Sequence, residues 1–245
     1  MSRRTVGRLA VGLALVTAAM WLLMDGLQWP ARAFTTFLLG PLPALLLLQA
    51  RLVNRVPDDA EREAIYTSSA VSVWILAGTA MLAARFGDLS RAELRLDLPS
   101  PALLLGAAGL TTLAGLAIMA AGKLLRVPES ELVDYLIPRT QSEKIAFAGL
   151  SVSAGIAEEL VFRSFLIAAV ARVSGSLTVA VGVSVAAFAI SHAYQGVRGV
   201  IRVALLGLVL TAPFLLTGSV VPSMIAHAAL DILAGLVLAD WLRDV

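Results

Sequence analysis

Three charged side chains lie within one apolar stretch, GIAEELVFRSF, which covers residues 155–165. An ionised group near the centre of a bilayer costs about 2.5–3.5 kcal/mol, so such groups are usually paired or functional. Glu159 and Arg163 are four positions apart and share one helical face, which predicts an ion pair. At 100° per residue Glu158 projects about 140° from Arg163. Glu158 is therefore the carboxylate left available for chemistry.

The chain has only two histidines, and both lie in apolar segments. His192 ends the stretch FAISH, four residues after Phe188, and His227 precedes Asp231 by four residues in HAALD. The second spacing predicts that His227 and Asp231 touch on one helical face. A carboxylate and an imidazole facing a common water form a general-base arrangement for hydrolysis, and a second histidine can donate to the oxyanion. Cysteine is absent, which excludes a thiolate nucleophile and cysteine-ligated metals.

The elements that carry these residues have the composition of membrane-spanning helices. Hydrophobic residues make up 59% of the 245 residues, charged residues 15%, and the mean hydropathy is +0.87. A spanning helix needs about 20 mainly apolar residues, and about eight runs approach that length. Pro41 and Pro43 are predicted to kink the second and shortest of them. The runs are 9–27, 34–48, 65–84, 101–121, 145–171, 177–194, 200–216 and 221–241.

The distribution of basic residues predicts the orientation of the helices. Most of the 19 Lys and Arg residues fall on one side of the bundle, together with both termini, which predicts cytoplasmic termini. The first apolar run is interpreted as a retained anchor rather than a cleaved signal peptide. No basic patch suited to nucleic acid is present. Because no linker or repeat divides the chain, we expect one integral membrane domain over residues 1–245.

The charged loop at 123–144 contains an amphipathic segment that begins at Pro128. Its apolar residues Leu132, Val133, Leu136 and Ile137 recur at helical spacing, which predicts a short helix on the membrane surface. Two interpretations remain open at this point, an ordinary connector and a gate beside a lateral opening.

Three short motifs together resemble a known family. EELVFR fits E-E-x-x-x-R, FAISH fits F-x-x-x-H, and HAALD fits H-x-x-x-[N/D]. In this order on three apolar helices, they resemble the CPBP or Abi family, which comprises type II CAAX prenyl endopeptidases and bacteriocin-processing-like proteins. The resemblance covers residues 145–241, which would form the motif-bearing catalytic core.

The resemblance implies an all-α bundle of about eight transmembrane helices, similar to type II CAAX prenyl proteases, with intramembrane glutamic endopeptidase activity. It implies no cofactor and no metal, a membrane-associated protein or peptide as substrate, and a location in the bacterial plasma (inner) membrane. The residues carried over are Glu158 and His192 for activating water, His227 and Asp231 for supporting the oxyanion, and Glu159, Arg163 and Phe188 as supporting residues.

Asp231 fits the motif but differs from eukaryotic-type CAAX proteases, which typically have Asn at this position. An Asn amide can donate to an oxyanion, whereas Asp donates only when it is protonated. We expect Asp231 instead to accept a hydrogen bond from His227 and orient it. This difference allows for peptide substrates other than true CAAX peptides.

Two alternative functions are compatible with the same residues. His192, His227 and Glu158 could hold Zn²⁺ in a His₂Glu site, although the sequence contains no HExxH motif. A non-catalytic membrane protein, such as an immunity factor, a binding partner or a proton-linked transporter, could also use buried charges.

Overall fold

A computed structural model describes residues 3–52, 61–127 and 130–243 of the chain, and these ranges contain helices and no strand. Most of the charged stretch 51–63, and the predicted helix start at Pro128, lie outside the described residues. The α-helices are α1 (Arg3–Leu23), α2 (Trp29–Leu39), α3 (Pro41–Leu52), α4 (Arg62–Phe86), α5 (Arg91–Leu94), α6 (Pro101–Leu124), α7 (Glu131–Tyr135), α8 (Gln141–Glu159), α9 (Ile167–Ser174), α10 (Leu177–Ser191), α11 (Gly196–Thr217), α12 (Val221–Ile232) and α13 (Ala239–Arg243). Two π-helical segments, Leu160–Leu166 and Leu233–Val237, and a 3₁₀ turn, Ala193–Gln195, join some of them.

The described helices confirm the prediction of an all-α membrane protein. Five helical segments are long and apolar enough to cross a membrane, and three shorter apolar helices accompany them. Together these segments overlap all eight predicted runs. Large apolar side chains such as Leu22, Leu105 and Leu110 remain exposed on the outside of the bundle, where lipid is the expected solvent. The five long segments are Trp29–Gln49, Arg62–Phe86, Pro101–Leu124, Gln141–Ser174 and Ala193–Thr217, and the shorter ones are Gly7–Leu23, Leu177–Ser191 and Val221–Val237.

The helical segment Trp29–Gln49 is longer than the predicted second run, 34–48, and it is interrupted at Gly40. α2 ends at Gly40, whose dihedral angles (φ −119°, ψ −84°) are not helical, and Pro41 begins α3. Proline has no N–H and fits the first turn of a helix, so it starts the second segment here rather than kinking a continuous one.

The centre of the bundle is a rod of 34 residues, Gln141–Ser174, formed by α8, the first π-helical segment and α9. Thr140 caps its start through a capping box with Glu143, and Gly175 ends it in the left-handed conformation with φ 65°. Residues 161–170 are all buried, and α8 packs against α4 and α12. The rod therefore lies where its polar side chains must find partners within the protein.

A glycine allows α8 and α12 to approach each other closely. A Cβ atom at Gly155 would lie 2.6 Å from the backbone nitrogen of Ala228 and 2.8 Å from its Cα atom. Ala228 directly follows His227, and Gly155 lies one helical turn before Glu159. The missing side chain thus brings the histidine of α12 beside the carboxylates of α8.

At the other end of the rod, α5 is joined to α9 by a charged contact. Ser90 caps α5 through a capping box with Glu93, and Arg172 donates two hydrogen bonds to Glu93, of 2.8 and 2.6 Å. Ser164 Oγ donates to the Leu94 carbonyl at 2.7 Å. Partial burial opposes ionisation of Glu93, but the hydrogen bonds from Arg172 and Ser90 outweigh it and lower the pKa of Glu93.

We predict that Glu93→Gln lowers the stability of the protein by at most about 1 kcal/mol, because the pair is partly exposed, or about 2–4 °C in Tm. A depressed folded-state pKa means that the stabilisation is complete above the ordinary value of 4.5 and is lost as the pH falls below it. Thermal unfolding of both proteins in detergent at pH 7 and at more acidic pH measures the difference. Asp97→Asn is the control, because the Arg91–Asp97 pair is exposed and should contribute little. A wild-type advantage that grows on acidification would contradict the prediction.

We also predict that Gly155→Ala destabilises the bundle, because the added methyl group meets backbone atoms of α12 that cannot move independently. The expected loss is about 1–3 kcal/mol. Gly149→Ala on the same helix is the matched control, since a Cβ atom there meets nothing within 4 Å. Equal melting temperatures for the two variants would show that the close α8–α12 contact is not required.

Candidate functional site

The two adjacent glutamates end α8 immediately before the first π-helical segment. π-Helical turns are rare and occur frequently at functional sites. The wider turn leaves backbone carbonyls in need of partners, and Ser184 Oγ of α10 donates to the Phe162 carbonyl at 2.6 Å. The segment is thereby fixed against a neighbouring helix directly after Glu158 and Glu159.

The predicted ion pair between Glu159 and Arg163 is present and fully buried. Arg163 Nη1 lies 3.0 Å from Glu159 Oε1, and neither side chain is exposed. Arg163 Nη2 also donates to the Gly207 carbonyl of α11 at 3.2 Å. A Cβ atom at Gly207 would lie 3.4 Å from this nitrogen, so the glycine gives the guanidinium the room it occupies. The pair links the central rod to α11.

Glu159 has a second partner that the sequence did not predict. His227 Nδ1 of α12 lies 2.9 Å from the same carboxylate oxygen, Oε1. A carboxylate that is ionised only accepts, so His227 Nδ1–H is the donor. This contact depends on the packing of α8 against α12, and its only sequence signal is Gly155, which permits that packing. Glu159 therefore connects the central rod directly to α12 and, through Arg163, to α11.

The other nitrogen of His227 faces two further carboxylates. His227 Nε2 lies 3.7 Å from Asp231 Oδ2 and 3.9 Å from Glu158 Oε2. The predicted proximity of His227 and Asp231 is confirmed, but the expected hydrogen bond is wrong, because 3.7 Å exceeds hydrogen-bond range. Glu159, rather than Asp231, holds the imidazole in place.

His192 caps the end of α10 and is held by its own helix. Its Nδ1 atom lies 2.9 Å from the Phe188 carbonyl oxygen and 3.2 Å from Ser191 Oγ. Because a carbonyl only accepts, Nδ1–H donates to Phe188, and Nε2 carries the lone pair when the ring is neutral. His192 is thus oriented by the backbone four residues earlier.

Phe188 lies among the catalytic candidates. Its ring centroid is 4.8 Å from that of His192 and 5.9 Å from that of His227. The guanidinium carbon of Arg163 lies 4.2 Å from the same ring centroid, a cation–π distance. The aromatic ring therefore separates the two imidazoles and covers the buried ion pair.

A central cavity of about 1320 Å³ brings the candidates together. Glu158, His192, His227 and Asp231 all line it, whereas Glu159 lies fully buried behind the wall. Side-chain exposures of 17% for Glu158 and 37% for Asp231 show that both carboxylates reach the open space. Among the polar lining residues that sequence reasoning missed are four that follow His192 closely in the chain, and that proximity was their only signal. They are Tyr194, Gln195, Arg198 and Arg202.

Helix α7 forms part of the wall of the central cavity. The apolar residues of this segment, predicted to form a short helix on the membrane surface, line the cavity. Arg62 Nε donates to the Tyr135 carbonyl at 2.6 Å, and the Tyr66 hydroxyl donates to the Leu136 carbonyl at 2.9 Å. The segment is therefore anchored to α4.

Metal binding was the alternative use of Glu158, His192 and His227. Over the described ranges, no group of three or more His, Asp and Glu side chains has a geometry that could hold a metal ion. His227 already uses one nitrogen to donate to Glu159, which leaves Nε2 as its only free ligand atom.

Comparison with known proteins gives one match. Residues 140–233 match the family model described as type II CAAX prenyl endopeptidase Rce1-like. No curated protein and no solved structure matches the chain. The matched segment contains every residue of the candidate site, including both glutamates and both histidines. Members of this family are membrane proteases that act on a peptide or protein in the membrane. The segment that carries the site is therefore similar to the Rce1-like type II CAAX prenyl endopeptidases, and the protein is an integral membrane protease.

Proposed function

We propose that the protein is a glutamic intramembrane endopeptidase in which Glu158 and His192 activate the attacking water. The observation that carries this proposal is the unequal placement of the two glutamates. Glu159 is fully buried and committed to Arg163 and His227. Glu158 reaches the central cavity, where it can meet water and substrate.

The first step is attack on the scissile carbonyl carbon. Glu158 takes a proton from water, assisted by His192 Nε2, and the water oxygen bonds to the carbonyl carbon. The π electrons of the carbonyl move to its oxygen and give an oxyanion. Return of the proton from Glu158 to the leaving nitrogen then breaks the C–N bond and releases the two peptide fragments.

His227 supports the oxyanion in this proposal. Its Nδ1–H is used by Glu159, so donation from Nε2 requires the imidazolium form. The carboxylates of Glu159, Asp231 and Glu158 lie 2.9, 3.7 and 3.9 Å from the ring nitrogens. These negative charges favour a positive charge on the ring. Asp231 acts in this way through its charge rather than through a direct hydrogen bond.

The proposed substrate is a membrane-associated protein or peptide, and the proposed location is the bacterial plasma membrane. Apolar residues of α3, α4 and α6 line much of the cavity, which suits an apolar substrate segment. The excess of Lys and Arg on one side of the bundle supports cytoplasmic termini. No nucleic-acid partner is proposed.

We predict that Glu158→Gln abolishes peptide cleavage and leaves folding intact. Loss of a general base should reduce the rate by about 10²–10⁴, whereas the isosteric amide preserves packing and the melting temperature. The measurement compares protein and peptide termini in membranes of cells that carry either protein, to find a precursor that stays uncleaved with the variant. Purified enzyme is then assayed on a peptide that spans the identified site.

Glu63→Gln is the matched control, because Glu63 is an exposed glutamate in the first turn of α4. It should cleave like the wild type. Wild-type cleavage by Glu158→Gln would leave the mechanism without its base and refute the proposal.

We further predict that cleavage by the purified enzyme survives treatment with EDTA or 1,10-phenanthroline, and that the protein contains no stoichiometric zinc. Elemental analysis and the peptide assay before and after chelation measure both quantities. Zinc near one atom per chain, with activity lost on chelation and restored by Zn²⁺, would establish the metal-dependent alternative instead.

A further inference from the structure

Tyr194 places a phenol hydroxyl on the wall of the cavity that contains the candidate catalytic residues. It lies in the 3₁₀ turn Ala193–Gln195, two residues after His192, and its ring centroid is 5.9 Å from that of His192. Tyr194, Glu158 and Asp231 line the same cavity. The turn thus adds a neutral polar group to an otherwise charged cluster.

The hydrogen bonds around Tyr194 determine whether its hydroxyl group can still donate a hydrogen bond to a ligand. Gln195 Nε2 donates to the Tyr194 hydroxyl oxygen at 3.2 Å. Arg202 Nη2 donates to Gln195 Oε1 at 3.4 Å, which fixes the amide with its NH₂ group toward Tyr194. In the part of the chain that the structure describes, the hydroxyl oxygen accepts one hydrogen bond and its proton has no acceptor. The O–H is therefore able to donate into the cavity.

A glycine supports this arrangement. A Cβ atom at Gly199 would lie 2.3 Å from Gln195 Cβ, so only glycine lets the Gln195 side chain fold against the first turn of α11. Gly196, with φ 75°, ends the 3₁₀ turn in a conformation that favours glycine. The local sequence from Tyr194 to Arg202 thus orients the phenol through Gln195.

The proposed mechanism needs a second oxyanion donor. Tetrahedral intermediates are usually stabilised by more than one preorganised hydrogen bond. His227 Nε2 offers one donor, but Asp231, as a carboxylate, only accepts. A tyrosine hydroxyl keeps its proton at neutral pH and donates without adding charge.

We propose that Tyr194 is a catalytic residue that donates its hydroxyl hydrogen bond to the oxyanion, in the role that an amide at position 231 would otherwise fill. This inference rests on the proposed function and deepens it. Gln195 and Arg202 are positioning residues, because their hydrogen bonds orient the Tyr194 hydroxyl.

The experiment is a double-mutant cycle with Tyr194→Phe, Asp231→Asn and the combined variant. Each protein is purified in detergent and assayed on a quenched fluorescent peptide that spans the cleavage site found by the comparison of termini. We expect Tyr194→Phe to lower kcat by about 10²-fold, with KM and the melting temperature nearly unchanged. In the Asp231→Asn background the amide supplies a donor, so the same substitution should cost several-fold less.

Thr79→Val is the control. It removes a hydroxyl that donates to the Ile75 carbonyl within α4, away from the cavity lining, and its kcat should equal that of the wild type. A Tyr194→Phe enzyme within two-fold of wild-type kcat would overturn the inference. An equal loss in both backgrounds would also overturn it, because Tyr194 would then not share a role with position 231.

The same assay separates this inference from the proposed function. If the wild type cleaves, Glu158→Gln does not, and Tyr194→Phe is fully active, only the assignment of Tyr194 fails. If Glu158→Gln cleaves as fast as the wild type, the glutamic mechanism and the assignment of Tyr194 fail together.

Discussion

The architecture depends on one buried carboxylate, whose negative charge must be balanced by protein groups because water does not reach it. Glu159 Oε1 lies 3.0 Å from Arg163 Nη1 in a fully buried ion pair, and it accepts a hydrogen bond from His227 Nδ1 at 2.9 Å. Removing one partner of a buried ion pair typically costs about 3–5 kcal/mol, because the remaining charge is left uncompensated. Arg163 belongs to the central rod and His227 to α12, and Arg163 also binds the Gly207 carbonyl of α11. The requirement to pair the Glu159 charge therefore fixes the rod, α11 and α12 relative to one another.

Pairing of Glu159 also explains why its neighbour is available for chemistry. Adjacent residues on a helix project about 100° apart, so when Glu159 points into the core, Glu158 must point elsewhere. The close approach at Gly155 places His227 between the two carboxylates, with one nitrogen bonded to Glu159 and the other directed toward Glu158. One imidazole thereby separates a structural carboxylate from one that faces the cavity, and it connects the stability of the scaffold to the geometry of the site.

Helix periodicity was sufficient to predict the features that lie within single helices. The apolar runs gave the all-α membrane bundle, and the i,i+4 spacings gave the Glu159–Arg163 pair and the proximity of His227 to Asp231. Contacts between helices were not predictable in this way. The Glu159–His227 hydrogen bond requires the packing of α8 on α12, and the cavity position of Tyr194 requires a 3₁₀ turn after His192. The sequence pattern reveals neighbours on the same helix only. It therefore assigned the orientation of His227 to Asp231, which lies on α12 with it, rather than to Glu159 on α8.

The distribution of polar groups around the cavity bears on how water and an apolar substrate can meet. Leu42, Leu46 and Met119 line one part of the cavity, whereas the carboxylates and imidazoles lie on α8, α10 and α12. Electrostatic interactions strengthen where water is scarce, so donors at the edge of an apolar chamber act more strongly on a developing oxyanion than they would in bulk solvent. The anchored segment α7 closes part of this chamber through its bonds to Arg62 and Tyr66. The apolar part of the wall therefore increases the effect of the charged and imidazole groups on the opposite part.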